Sequence, residues 1–223
     1  MGSGPWAGPG SMHIVKKFLD VKMTPLSQKP GKPPSHKDLA LTGSDSASLT
    51  EPYRCCVLCP RQCRVNRTDP GPASGKGVCG ETDQLRVAYV GPHFGEEPPI
   101  TGTNGSGTVF FTGCSLRCTY CQNHQISQGG LGVRINLDEL AVSLEQMVER
   151  HHVSNINWVT PDHFFPHVFD LVRLLRGRGI DLPFVYNLSG YQSVEALASA
   201  EDFADIYLPD FKYSDPVLAA ALS

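Results

Sequence analysis

Cys114-Ser115-Leu116-Arg117-Cys118-Thr119-Tyr120-Cys121 puts three thiols on eight residues, a C-x3-C-x2-C run. Three thiolates so close in sequence can each bind a different iron of one 4Fe-4S cube, leaving the fourth iron without a protein ligand. An open iron can take a small chelating molecule, and a low-potential cluster beside that molecule can inject one electron into it. Two blander readings use the same residues. His124 follows Cys121 by three residues, so Cys114, Cys118, Cys121 and His124 suit a tetrahedral zinc site, and a buried structural trio needs no metal. The strand Thr108-Val109-Phe110-Phe111 comes immediately before the run, which places the thiols on a loop at a strand's C-terminal end, where α/β folds build their sites.

A second set, Cys56, Cys59, Cys63 and Cys79, has the spacing C-x2-C-x3-C-x15-C, with Pro60 after its second member. Four thiolates close a site completely. Structural zinc and an auxiliary iron-sulfur cluster relaying electrons both fit, and spacing does not separate them. Cys55 is left over, either as a small buried residue or as a competitor of Cys56 for the ligand role.

The elements that must position these thiols can be read around them. Residues 1–52 are rich in Gly, Pro, Ser and Thr and show no sustained apolar period, so a flexible tail is expected; its Met12–Leu19 stretch could make one helical turn. Residues 53–104 form a turn-rich cysteine segment with one strand, Arg86–Val90, and too few apolar residues for a core of its own. From 105 to 223, strands alternate with helices. Asn136 and Glu139 make a capping box ahead of the apolar face Leu137, Leu140, Ala141, Leu144, Met147 and Val148. Strands follow at 155–159, 184–186 and 204–208. Between them lie a helix through Val168, Leu171, Val172 and Leu175 that stops at Gly177 and Gly179, and a short one starting near Ser193; a last helix begins at Pro216. Repeated strand-helix-strand units imply an α/β domain with a parallel sheet.

The 223 residues are 40% hydrophobic and 18% charged, which allows a sizeable core and excludes global disorder. A net charge of -3 leaves no electrostatic footprint for nucleic acid. No apolar run approaches the roughly 18 residues of a membrane span, and no secretory leader is visible, so a cytoplasmic location is expected. In a reducing compartment clustered cysteines mean metal or catalysis more often than cystines.

The cysteine loop with its Thr-Val-Phe-Phe strand, Tyr120 before the last cysteine and Gln122-Asn123 after it resembles the radical S-adenosylmethionine superfamily. More narrowly, the chain resembles the little-characterised homologues of pyruvate formate-lyase activating enzyme. Their pattern extends to Cys56-x-x-Cys59-Pro60-Arg61-x-Cys63, Gly95-Glu96-Glu97-Pro98, Val159-Thr160-Pro161, Tyr186–Tyr191 and Tyr207-Leu208-Pro209-Asp210-x-Lys212-Tyr213, about residues 53–216 in all.

The resemblance implies a partial (β/α) barrel and a 4Fe-4S cluster on Cys114, Cys118 and Cys121. The open iron takes the amino and carboxylate groups of S-adenosylmethionine, whose reductive cleavage gives a 5'-deoxyadenosyl radical for hydrogen abstraction. A reducing donor such as flavodoxin or ferredoxin, and a protein substrate such as a glycyl radical enzyme, belong to the same expectation. Tyr120, Thr160, Asn187, Ser189, Asp210 and Lys212 are the implied contacts to S-adenosylmethionine. Thr160 stands where the superfamily often carries Gly-Gly-Glu, and Asp210 with Lys212 matches the Asp-x-Lys of glycyl radical activases. For each, an ordinary loop-capping role is the competing reading.

His163 and His167, just past the second barrel strand, could meet substrate or cap a helix. His151-His152 belongs at an exposed helix end. Glu96-Glu97 could touch the barrel mouth, with an exposed linker as the stronger expectation. A non-catalytic zinc- or iron-sulfur-binding module, or an inactive fragment of such an enzyme, is the alternative function. Only four strand-helix units are readable after Thr108, whereas six at about 30 residues each need roughly 60 more residues. A truncated chain whose sheet ends on an exposed edge at the fourth strand is therefore expected.

Overall fold

The computed structural model describes residues 46–68 and 75–223. Most of the expected tail, with the Met12–Leu19 stretch, lies outside the described residues. Its last part is helical: α1 spans Ser46–Arg54 and buries Tyr53, whose hydroxyl is 2.6 Å from His167 Nδ1.

The fold is α/β with a mixed six-stranded sheet in the order β3-β1-β2-β4-β5-β6. The strands are β1 (Arg86–His93), β2 (Ser106–Phe111), β3 (Val133–Arg134), β4 (Ile156–Val159), β5 (Phe184–Leu188) and β6 (Ile206–Pro209). β2, β4, β5 and β6 are parallel neighbours and are the four strands expected from the sequence. The wholly parallel sheet is corrected at the other end, where β1 runs antiparallel to both β2 and β3. β6 has one strand neighbour, so the fourth parallel strand is an edge of the sheet among the described residues.

Period-two alternation separates the two faces of the sheet. Val109 and Phe111, Ile156 and Trp158, Phe184 and Tyr186 point to one side. There α4 (Leu137–His151) and α5 (Phe165–Gly177) cover them with the buried Leu140, Leu144, Met147, Val168, Leu171 and Leu175. The α4 capping box forms as read, with Glu139 N donating to Asn136 Oδ1 (2.9 Å) and Asn136 N to Glu139 Oε2 (3.0 Å). His151 and His152 are exposed at its end. The other face presents Phe110, Asn157, Val159 and Asn187. It is more polar and faces a cavity rather than a helix layer.

The remaining helices are short: α2 (Pro98–Thr101), α3 (His124–Ser127), α6 (Val194–Ala200) and α7 (Pro216–Leu222). Ser193 caps α6 through Ala196 N (3.2 Å), and Asp215 caps α7. Among the described residues no helix is long and apolar enough to cross a membrane.

Candidate active site

A cavity of about 520 Å³ runs along the polar face and opens where the parallel strands end. Cys114, Cys118 and Cys121 all line it. β2 ends at Phe111, and Gly113 then turns the chain with φ +78°, a left-handed conformation that glycine adopts without a Cβ penalty. A Cβ there would stand 2.7 Å from Cys79 O and 2.6 Å from Glu81 Cγ, so the cysteine segment presses directly on this turn. Arg117, between the first two thiols, is also left-handed at φ +59°. That bend lets residues three and four apart in a non-helical loop face one space.

The rim residues expected from the resemblance meet on the same cavity. Thr160 follows β4, Asn187 and Ser189 lie at the end of β5, Asp210 and Lys212 follow β6, and Tyr120 lies on the loop itself. Thr160 adopts φ +55°, costly for a β-branched residue, and its N–H donates to Asn187 O (3.0 Å), joining two rim strands. Lys212 Nζ is 2.6 Å from Asp210 Oδ2. Burial works against its ammonium, but Asp210 and the thiols of Cys118 and Cys114 hold its pKa above the usual lysine range. Tyr120 packs edge-on against Tyr213, ring centroids 6.0 Å apart. His124 is exposed and does not line the cavity, so the three-thiol, one-imidazole site is not assembled. Among the described residues no three His, Cys, Asp or Glu side chains are grouped to hold a single metal ion.

The second cysteine set is folded against the first. Cys56, Cys59 and Cys79 are buried and Cys63 half-buried, while Cys55 is exposed, which corrects the reading of Cys55 as a buried residue. Burial pushes the Cys79 thiol up to about 11 and raises Cys59 and Cys114. Cys114 N donates to Cys79 O (3.2 Å), one hydrogen bond between the two sets. Arg61 clamps the loop by donating to Ser115 O (3.0 Å) and Leu116 O (3.1 Å), and Arg117 Nη1 donates to Val78 O (3.2 Å). Arg67, missed by sequence reasoning, is fully buried against the second set, its Nη1 3.6 Å from Cys56 Sγ.

His163 and His167 are not on the cavity. His163 lies on the 3-10 turn after β4, Asp162–Phe164, and His167 in the first turn of α5, and both rings are buried. His163 Nε2 meets Thr112 O (2.6 Å), and burial lowers His163 to about 3 and His167 to about 4, so both stay neutral.

Asp162 on the same turn is buried. Gln192 Nε2 donates to its Oδ1 (2.7 Å), Oδ2 has no partner among the described residues, and burial pushes the carboxyl up to about 7. The unfolded chain releases this proton near pH 3.9, so between about pH 4 and 7 the folded state binds more protons than the unfolded one. This group therefore makes stability fall as pH rises through that window. Asp162→Asn is expected to remove the fall, gaining roughly 4 kcal/mol at most relative to the wild type from pH 4 to 8. Urea unfolding across that range checks it; equal pH slopes for the two proteins contradict it.

With the geometry in hand, comparison with known proteins adds one relationship. A curated relative matches. It is an uncharacterized protein of Methanocaldococcus jannaschii, 28% identical over 181 residues, or 77% of this chain and 49% of the relative. The chain thus spans about half the length of the curated relative it matches. No family model matches the chain, and no solved structure does.

Proposed function

We infer that the protein is a radical S-adenosylmethionine enzyme that cleaves its cofactor reductively and uses the 5'-deoxyadenosyl radical to abstract hydrogen, with a glycyl radical enzyme as a candidate substrate. The observation that carries this reading is the convergence of three thiols and the polar rim of three successive parallel strands on one cavity. Three soft donors suit iron and sulfide.

Cys114, Cys118 and Cys121 would hold the 4Fe-4S cluster, which supplies a low-potential electron when reduced by a donor such as flavodoxin or ferredoxin. The chain's own residues orient the cofactor and offset charge. Thr160 offers a hydroxyl at the amino end, and Asn187 and Ser189 offer hydrogen bonds to the methionyl carboxylate or ribose. Lys212, held by Asp210, offsets the negative charge of the thiolates. Tyr120 walls the mouth. The second set, Cys56, Cys59, Cys63 and Cys79, would hold zinc or an auxiliary iron-sulfur cluster. The buried charge of Arg67, with a nitrogen 3.6 Å from Cys56 Sγ and no ion pair among the described residues, favours thiolates there.

Anaerobic reconstitution with iron and sulfide, then dithionite and S-adenosylmethionine, is expected to give brown, iron-rich protein and 5'-deoxyadenosine. Absence of 5'-deoxyadenosine with an intact cluster overturns the reading. Stoichiometric zinc without broad visible absorbance points instead to a non-catalytic zinc module.

A further inference from the structure

β1 runs antiparallel to β2 and ends with His93 opposite Ser106, so the chain leaves it at the N-terminal edge of the parallel strands. The cysteine loop occupies the opposite edge. The turn that follows β1 is anchored there: Asn155 Nδ2 donates to Ile100 O (2.6 Å), and Thr101 Oγ1 donates to Glu96 O (2.8 Å). Ile100 N and Thr101 N both bond Glu97 O, at 2.8 and 2.9 Å. From this fixed turn Glu96 reaches along the polar face. Its Oε1 accepts from Asn157 Nδ2 (3.1 Å) and its Oε2 from Asn187 Nδ2 (3.4 Å).

Glu96 therefore lines the same cavity as the thiols, entering from the N-terminal edge of the strands and meeting the rim at Asn187. Asn157 stands three residues, about 10 Å, before Thr160 along β4. The carboxylate is half-buried, burial raises its pKa above the usual range, and among the described residues it makes no ion pair. Two neutral amides orient a carboxylate without compensating its charge. Of the cavity's basic side chains, Lys212 is paired with Asp210 at the rim, Arg117 donates to Val78 O, and His93 stands near enough to act on Glu96 without forming an ion pair among the described residues. A carboxylate held by two amides and without an ion pair among the described residues can take a cationic group from a ligand.

We propose that Glu96 is the specificity-determining residue for the substrate: it binds a guanidinium or primary ammonium group, so that a substrate carrying that group lies along the polar face with its uncharged part toward the thiol rim. The inference deepens the proposed function and rests on it for the word substrate. In that reading the ammonium of S-adenosylmethionine belongs to Thr160, and Asn187, which bonds both Thr160 and Glu96, borders the two sites.

The test uses the anaerobically reconstituted chain and three size-matched probes, n-butylguanidinium, n-butanol and butyrate, followed by saturation-transfer NMR. Butylguanidinium has no lone pair to offer iron. It is expected to bind in preference to the other two, and Glu96→Gln is expected to weaken it by about 10- to 100-fold, the range for a lost charge-assisted hydrogen bond. Glu96→Asp, which keeps the charge, is expected to keep the preference for the cation. No binding of butylguanidinium, equal binding of butanol, or unchanged cation affinity in Glu96→Gln overturns the proposal. A loss of S-adenosylmethionine affinity in Glu96→Gln as large as the loss for butylguanidinium also overturns it, by assigning the residue to the cofactor. Probe binding does not depend on 5'-deoxyadenosine formation, so failure of the radical reading shows separately.

Discussion

Cys118→Ala is expected to purify folded, to lose most of the iron it would take up at the loop on reconstitution, and to form 5'-deoxyadenosine only at background. Cys118 is buried and lines the cavity beside Cys114 and Cys121. Its side chain is small, so truncation removes little packing, about 1 kcal/mol, typical of single substitutions. The chemical loss is of a different order. A cube on three thiolates has one iron to spare for the cofactor, and a cube on two has a second open iron that water or buffer takes. Cys55→Ala is the matched control: Cys55 is exposed and belongs to neither set, so iron content and 5'-deoxyadenosine yield should equal those of the wild type. Iron analysis, visible absorbance and product chromatography on the three proteins together decide it. A Cys118→Ala protein that keeps both iron and product formation removes Cys114, Cys118 and Cys121 from the role given to them.

What the sequence disclosed and what it hid follow one physical division. The α4 capping box, the apolar stripe of α5 and the order of the four parallel strands are legible because each is written in residues that are neighbours along the chain. The cysteine loop is legible for the same reason. Glu96 is not. Its partners Asn157 and Asn187 lie 61 and 91 residues away, so only the register of β4 and β5 brings them to one carboxylate. β3 has two residues, both exposed, too short to show a period, and without it and β1's reversal the sheet reads as wholly parallel. His163 and His167 sit at a rim position in sequence, but the 3-10 turn that carries His163 and the start of α5 that carries His167 bury both. Local chemistry survives translation into sequence. Pairwise contacts between side chains of different strands, such as those of Glu96, do not.

Arg67 is the strongest case of such hidden assembly, and its replacement is expected to have the largest effect on stability. The side chain is fully buried. Its Nε donates to Glu81 O (3.1 Å), its Nη2 to Thr82 O (2.6 Å) and its Nη1 to His163 O (2.8 Å), while the guanidinium lies 4.6 Å over the Tyr53 ring. One planar group thus ties α1, the strip carrying Cys79 and the turn after β4 together. Arg67→Met keeps the stem but strands three carbonyls, at about 1–3 kcal/mol each before relaxation. A loss of roughly 3–5 kcal/mol is expected, a large share of the 5–15 kcal/mol that holds a typical domain. Arg67→Lys restores the charge but not the fork, since one ammonium cannot span three carbonyls in different directions, so most of the stability loss should remain. Metal affinity at the second cysteine set should divide differently. Burial raises Cys79 while the Arg67 charge lowers it, and a metal must displace that proton. Zinc affinity of the cysteine segment, measured by chelator competition in the full chain, should therefore fall furthest in Arg67→Met and recover in part in Arg67→Lys even where stability does not. If lysine restores the unfolding free energy to within about 1 kcal/mol of the wild type, the three-carbonyl fork is not what holds the segment. If zinc affinity is the same in both variants, the charge on residue 67 has no part in keeping the cysteines ready for metal.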